Sequence, residues 1–327
     1  MKLAIIGHDL KFINDAIKRF EAREDIEIKI DLWEGHTIHQ VTKSIEIVNW
    51  ADVLFCEWGL GNVVWYQEHK KEHQVLIVRM HRFEMNTPFP ERFDFTKIDK
   101  VIAISSYIFE EFHRVAKIPR DKMVVIPNGV DVERFHLPKE YDANFRIGLL
   151  GYVPKLKRLD RALAIFEKIC EKDSRYSLSI KGKHPKEFSW VWNNQQEHDY
   201  YTNVFRKIDK SPYSNQIQFE EWGDSAEWLQ SIGYVLSVSD YESFHLAPME
   251  GMASRAVPIV LNREGARTIF PDEYIFETID QAAEFIANSK KESGKKLVEF
   301  VKKHYCMDKM CSEILSLIDE LQSNLVH

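Results

Sequence analysis

The sequence predicts an α/β protein of two doubly wound, Rossmann-like domains facing each other across a cleft. Three observations predict it. Short apolar, β-rich runs alternate with helical patterns from the first residues onward. The alternation breaks once, at 127–144, PNGVDVERFHLPKEYDAN, with two prolines, a glycine and many polar groups. It then restarts. Strands alternating with helices build parallel sheets covered on both faces, and 327 residues suit two such cores.

Taken in order, KLAIIG (2–7) is a strand, and DLKFINDAIKRFEA (9–22) has helical spacing through Phe12, Ile13, Ala16, Ile17 and Phe20. DIEIKIDLW, ADVLFCEW, QVLIVRM, KVIAIS and KMVVIP read as further strands. TIHQVTKSIEIVNW, NVVWYQEHKK and SYIFEEFHRVA read as the helices between them. Beyond the break come strand FRIGLLGY, helix RLDRALAIFEKICEK, strand RYSLSIKG and a helical stretch from about 186 to 209. Strand NQIQFEEW, helix SAEWLQSI, strand GYVLSVS, a helix around EGMAS and strand AVPIVL follow, and 279–325 reads as nearly all helical. The predicted domains are therefore 1–136 and 137–306, with a helix at 307–327 returning to the first.

Composition is that of a soluble globular chain, 44% hydrophobic and 29% charged. A formal net charge of −7 argues against a general nucleic-acid binder. The four cysteines, Cys56, Cys170, Cys306 and Cys311, show neither CxxC pairing nor metal-ligand spacing, which suits structural thiols in a reducing cytoplasm. MKLAIIGHDL enters a strand without a signal peptide's apolar core. No window approaches the roughly 18 apolar residues of a spanning helix.

The chemistry concentrates in SDYESFHLAPMEGMASRAVPIV (239–260), where Glu242 and Glu250 stand eight positions apart. The first follows a buried strand and the second lies in the helix after it. Ligands of open parallel sheets bind beyond the carboxyl ends of the strands. The N–H groups that begin a helix favour an anion such as a diphosphate, and carboxylates accept hydrogen bonds from sugar hydroxyls. Together these features point to a sugar nucleotide.

VVIPNGVDVERF (124–135), the Gly151–Lys157 segment and the E-x7-E pair, in that order, resemble the retaining glycosyltransferases of the GT-B fold, the large group 1 family. The resemblance is clear over about 100–260 and holds in outline before that. It implies that Glu242 holds donor-sugar hydroxyls, that Glu250 holds the ribose, and that Phe244, His245 and Leu246 offer backbone amides to the diphosphate. Lys157, six residues after Gly151, would neutralise charge on the leaving diphosphate. The family's Gly-Phe-Gly is Ser243-Phe244-His245 here, and its arginine after the glycine is Tyr152, which makes Arg158 the candidate replacement. His81, at the end of QVLIVRM, would meet the donor sugar or the reacting centre. Arg79 and Glu84 are weaker candidates beside it.

Gly7, His8 and Arg82 are acceptor-side candidates. Asn128 and Gly129 border the donor site by resemblance, while Asn-Gly is also a plain turn dipeptide. Trp33, Trp58 and Trp65 are further acceptor-side candidates. The aromatic stretch 186–205 reads more simply as core than as a stacking platform. The resemblance implies transfer from a nucleoside-diphosphate sugar to a glycan, lipid-linked, protein or small-molecule acceptor; no DxD motif stands apart from Asp240-Tyr241-Glu242, so no obligatory metal and no other cofactor are expected. Peripheral membrane contact is compatible with it. Two other classes share these features: a sugar-nucleotide epimerase or hydrolase, and a donor-binding partner subunit without catalysis.

Overall fold

Among the described residues, 1–289 and 294–325 of the computed structural model, twelve strands form two parallel sheets of six. The chain divides into two units, Met1–Gly129 with Tyr305–His327, and Val130–His304.

In the first unit, β1 (Lys2–Gly7), β2 (Glu27–Leu32), β3 (Val53–Glu57), β4 (Val75–Met80), β5 (Lys100–Ala103) and β6 (Met123–Val125) take the order β2-β1-β3-β4-β5-β6. Alternate residues of β1 face opposite cores. Ala4 and Ile6 pack with Leu54, Leu76 and Val78, while Leu3 and Ile5 pack with Phe55, Val75 and Ile77. A strand buried on both faces reads as a continuous apolar run, which is why these strands were legible. Helix Met307–Leu325 covers one face through Met307, Met310, Cys311, Ile314, Leu317 and Ile318, beside helix Asn14–Glu21.

In the second unit, β7 (Arg146–Leu150), β8 (Ser177–Lys181), β9 (Ile217–Glu220), β10 (Tyr234–Ser237), β11 (Val257–Leu261) and β12 (Ile275–Phe276) take the order β12-β11-β10-β7-β8-β9. The order of the strands reverses between β7 and β10, and in the first sheet between β1 and β3. Reversal points are where open α/β sheets hold ligands.

Several elements differ in detail from the reading of the sequence. The first helix starts at Asn14 rather than 9, because Asp9 closes a local turn by accepting from the Lys11 amide at 3.0 Å. The 186–209 stretch breaks into helices Ser189–Trp192 and Gln195–Lys210, since Asn194 caps the second through the amides of Gln196 and Glu197. Strand β12 was missed: two residues show no alternation. The expected 279–325 helical tail is Ile279–Asn288, Lys295–Tyr305 and Met307–Leu325. Its residues 290–293, and 326–327 of the expected terminal helix, lie outside the described residues.

Candidate active site

Two clusters of polar side chains lie at strand carboxyl ends, one in each unit.

The cluster of the second unit begins in the turn after β7. Lys155–Lys157 form one 3-10 turn, and Arg158 adopts a left-handed conformation (φ 56°) before helix Leu159–Cys170. The turn is pinned on both sides. The Asp240 amide donates to Leu156 O at 2.9 Å, and the Lys155 amide donates to Glu197 at 2.8 Å. Lys157 Nζ then donates to Glu242 Oε1 at 2.6 Å, joining the loops after β7 and β10. Ser239 Oγ donates to the same oxygen at 2.7 Å.

His245 sits left-handed (φ 70°) at the start of helix Leu246–Ala253, its Nδ1 2.7 Å from Ser237 Oγ and its Nε2 3.6 Å from Glu242. Burial opposes ionisation of Glu242, but the charge His245 takes on in acid, the Lys157 charge and the hydrogen bonds of Lys157 and Ser239 lower its pKa to about 2. Burial lowers His245 to about 3, so its ring is neutral near pH 7. Arg263, after β11, donates weakly to the Ser237 and Leu261 carbonyls and lies in the field of Glu242. Sequence reasoning missed Arg263 and Ser239; neither stands out in its stretch of sequence.

Other predicted residues of this unit have clear positions. Glu250 is half-buried on the helix that Leu246 opens. Phe244 is buried as a whole residue, 1% exposed, so it packs beneath the site rather than lining it. Arg158 is engaged by two carboxylates, Nε and NH2 on Asp160 and NH1 on Asp240. Tyr152 is a core residue, 3% exposed.

In the first unit His81 follows β4, is buried, and places Nε2 2.9 Å from Glu57 Oε1. Arg79 NH1 donates to that same oxygen at 2.6 Å, and Arg79 NH2 reaches Asn128 Oδ1. Glu84 accepts at Oε1 from the Gly59 and His81 amides, and burial raises its pKa to about 8. Gly7 lies against the end of β3, where an added Cβ would stand 2.8 Å from Glu57 O.

The rings of His8, Phe12 and Trp58 gather over His81. Trp58 is 4.3 Å and Phe12 4.9 Å from it between centroids, and His8 lies 5.5 Å from Trp58. Arg82 opens the 3-10 turn after His81. Gly129 stands apart from this cluster, packed against the backbone of Met307. Trp33 is buried with its Nε1 on Asp31, and Trp65 stacks on His69. Sequence reasoning missed Glu57. Its signal was a charge closing an apolar strand, as Arg79 is a charge inside one, because such groups are buried only when paired.

Among the described residues no group of His, Cys, Asp or Glu is arranged to hold a metal ion, and no helix is long and apolar enough to cross a membrane.

Comparison with known proteins agrees with this fold. HepE of Anabaena, solved with UDP and glucose, superposes with a TM-score of 0.71 at 12% identity over 98% of this chain and 100% of its own. A glycosyltransferase of Rickettsia africae gives 0.70 at 16% identity over 99% and 98%. Sucrose-phosphate synthase of Thermosynechococcus elongatus gives 0.70 at 14% identity over 99% and 100%. The fold is GT-B. At such identities the likeness shows the fold alone. In sequence, residues 48–134 match the model of Glycosyltransferase Family 4. With that segment on this scaffold, the chain is a glycosyltransferase. No curated protein matches its sequence.

Proposed function

We propose that this glycosyltransferase moves a sugar from a nucleoside-diphosphate donor to an acceptor hydroxyl with retention of anomeric configuration. The observation that carries the reading is the Lys157–Glu242 pair at the strand reversal of the second unit. A carboxylate kept ionised there accepts hydrogen bonds from donor-sugar hydroxyls. The ammonium beside it meets charge that grows on the departing diphosphate, stabilisation directed at the transition state. The first amides of helix Leu246–Ala253 add donors for the same phosphates. Glu250, one turn along that helix, is assigned to the ribose. Arg263 adds a second cation near Glu242, so the site is read as needing no divalent metal.

His81, His8, Gly7 and Arg82 are assigned to the acceptor side, with His81 nearest the reacting hydroxyl. UDP-sugars are the first donors to try. HepE was solved with UDP and glucose, and the pneumococcal O-GlcNAc transferase GtfA with UDP and GlcNAc. The test is turnover of UDP-glucose and UDP-GlcNAc with simple glycoside acceptors, with and without EDTA, and proton NMR of the product's anomeric coupling. Retained configuration and indifference to EDTA are expected. An inverted product overturns retention, and loss of turnover in EDTA overturns metal independence.

A further inference from the structure

Glu57 ends β3 with no solvent exposure, and its surroundings are arranged around His81. Its Oε1 takes two donors, Arg79 NH1 at 2.6 Å and His81 Nε2 at 2.9 Å, while Oε2 is buried with no hydrogen-bond partner. Arg79 is as buried as Glu57, and its Nε is also unpaired. Replacing a buried ion pair with apolar residues is often neutral or stabilising, so stability alone does not account for this one.

What the pair does is hold an imidazole. The His81 amide donates to Glu84, and its ring lies against Trp58 and Phe12. Trp58, directly after Glu57, is left-handed (φ 71°), a strained conformation for so bulky a residue. Its Nε1 is tied to Asp9 O at 2.7 Å. Strain of this kind persists where the surrounding structure enforces it, and functional sites are where it gathers.

The hydrogen bond fixes the proton. Burial disfavours the ionised carboxyl of Glu57, but the Arg79 charge and the His81 contact hold it below the ordinary range. An ionised carboxylate only accepts, so Nε2 must donate. Burial lowers the pKa of His81, which favours the neutral ring, and a neutral ring with its proton on Nε2 carries its lone pair on Nδ1.

We propose that Glu57 is a positioning residue that locks His81 as the Nε2–H tautomer, its other ring nitrogen facing the Glu84 amide, so that the imidazole is held in one orientation beside a sugar substrate. This rests on the assignment of His81 to the acceptor side. Arg79 supplies the countercharge that keeps Glu57 ionised, and Asn128 holds the other end of the guanidinium.

The test is nitrogen-15 NMR of the full chain with labelled histidine, without donor or acceptor, the His81 signals being assigned by their loss in His81→Asn. At pH 7.5, Nε2 is expected to resonate as a protonated ring nitrogen and Nδ1 as an unprotonated one. A proton on Nδ1, or an even mixture, overturns the proposal. Glu57→Gln is expected to release a mixture of tautomers and to lower kcat roughly 10- to 100-fold, the range known for metal-bound histidines that lose their orienting partner, with KM changing less.

A folded Glu57→Gln protein that keeps the single tautomer also overturns it. Should that variant fail to fold, Glu57→Gln with Arg79→Met removes both charges and is expected to give the same mixture. The ring spectrum is read without substrate, so it fails or succeeds independently of whether sugar transfer is found.

Discussion

Lys157 Nζ and Glu242 Oε1 stand 2.6 Å apart although 85 positions separate them, joined where the second sheet reverses its strand order. Neither side chain is fully enclosed, with 22% and 12% of them exposed, so a ligand can reach the pair. Lys157→Ala is expected to lower kcat on the order of 100- to 1000-fold, the range for losing one donor aimed at developing charge. Thermal stability should change far less. Rates and melting curves on one preparation check this, and an unchanged kcat would remove Lys157 from the mechanism.

Acid should act on the same pair. The folded-state pKa of Glu242 lies below its ordinary 4.5, at about 2. Its contribution is therefore complete above about pH 4.5 and lost as pH falls toward 2. The difference corresponds to about 3 kcal/mol. His245 works in the same direction. Its folded pKa, lowered from 6.5 to about 3, means that the unfolded chain takes up the proton first as pH drops below 6.5. Stability measured in urea should decline from about pH 6.5 and steepen below 4.5, and Glu242→Gln should flatten the steep part. An identical pH profile in the variant would contradict the assignment.

The two guanidinium groups near this site should behave differently. Arg158 is held by Asp160 and Asp240, whereas Arg263 makes only long contacts to two carbonyls. Arg158→Ala is expected to leave the Kd for the nucleoside diphosphate within about threefold, and Arg263→Ala to raise it about tenfold, the 1.4 kcal/mol of one modest charge contact. Calorimetric titration distinguishes them, and the reverse order would make Arg158 the replacement for the arginine that Tyr152 displaces.

Gly129 is expected to matter for packing. A Cβ there would stand 2.7 Å from the Met307 Cα, so Gly129→Ala must push on the backbone of helix Met307–Leu325. A loss of about 1–3 kcal/mol is expected from such overpacking, with the Kd for diphosphates unchanged. Denaturant midpoints and titration together check it.

The fold was legible because the inner strands of each sheet are covered on both faces, so strands such as VLFCE and VLIVRM appear as apolar runs. The donor-side carboxylates were legible because Glu242 and Glu250 lie on one local segment with recognisable spacing. Glu57 and Arg263 were not, since their meaning comes from neighbours brought together by register: Glu57 faces Arg79 across the β3–β4 pair, and Arg263 approaches Glu242 from the adjoining β11. Arg158 shows the opposite case. Its position in the sequence suggested a replacement for the arginine missing at Tyr152, and the aspartates that engage it are Asp160, in the helix it opens, and Asp240, in the loop after β10.

The central claim is that the second unit holds a nucleoside diphosphate between Lys157, Glu242 and Glu250. The most direct measurement is a thermal-shift series of the wild type and Glu250→Ala with UDP, GDP, ADP, TDP and CMP, with and without magnesium. Saturable binding to the folded state raises the melting temperature. The account predicts a shift by one diphosphate that does not depend on magnesium and is lost in Glu250→Ala. No shift with any of the five, or an equal shift in the variant, would contradict it.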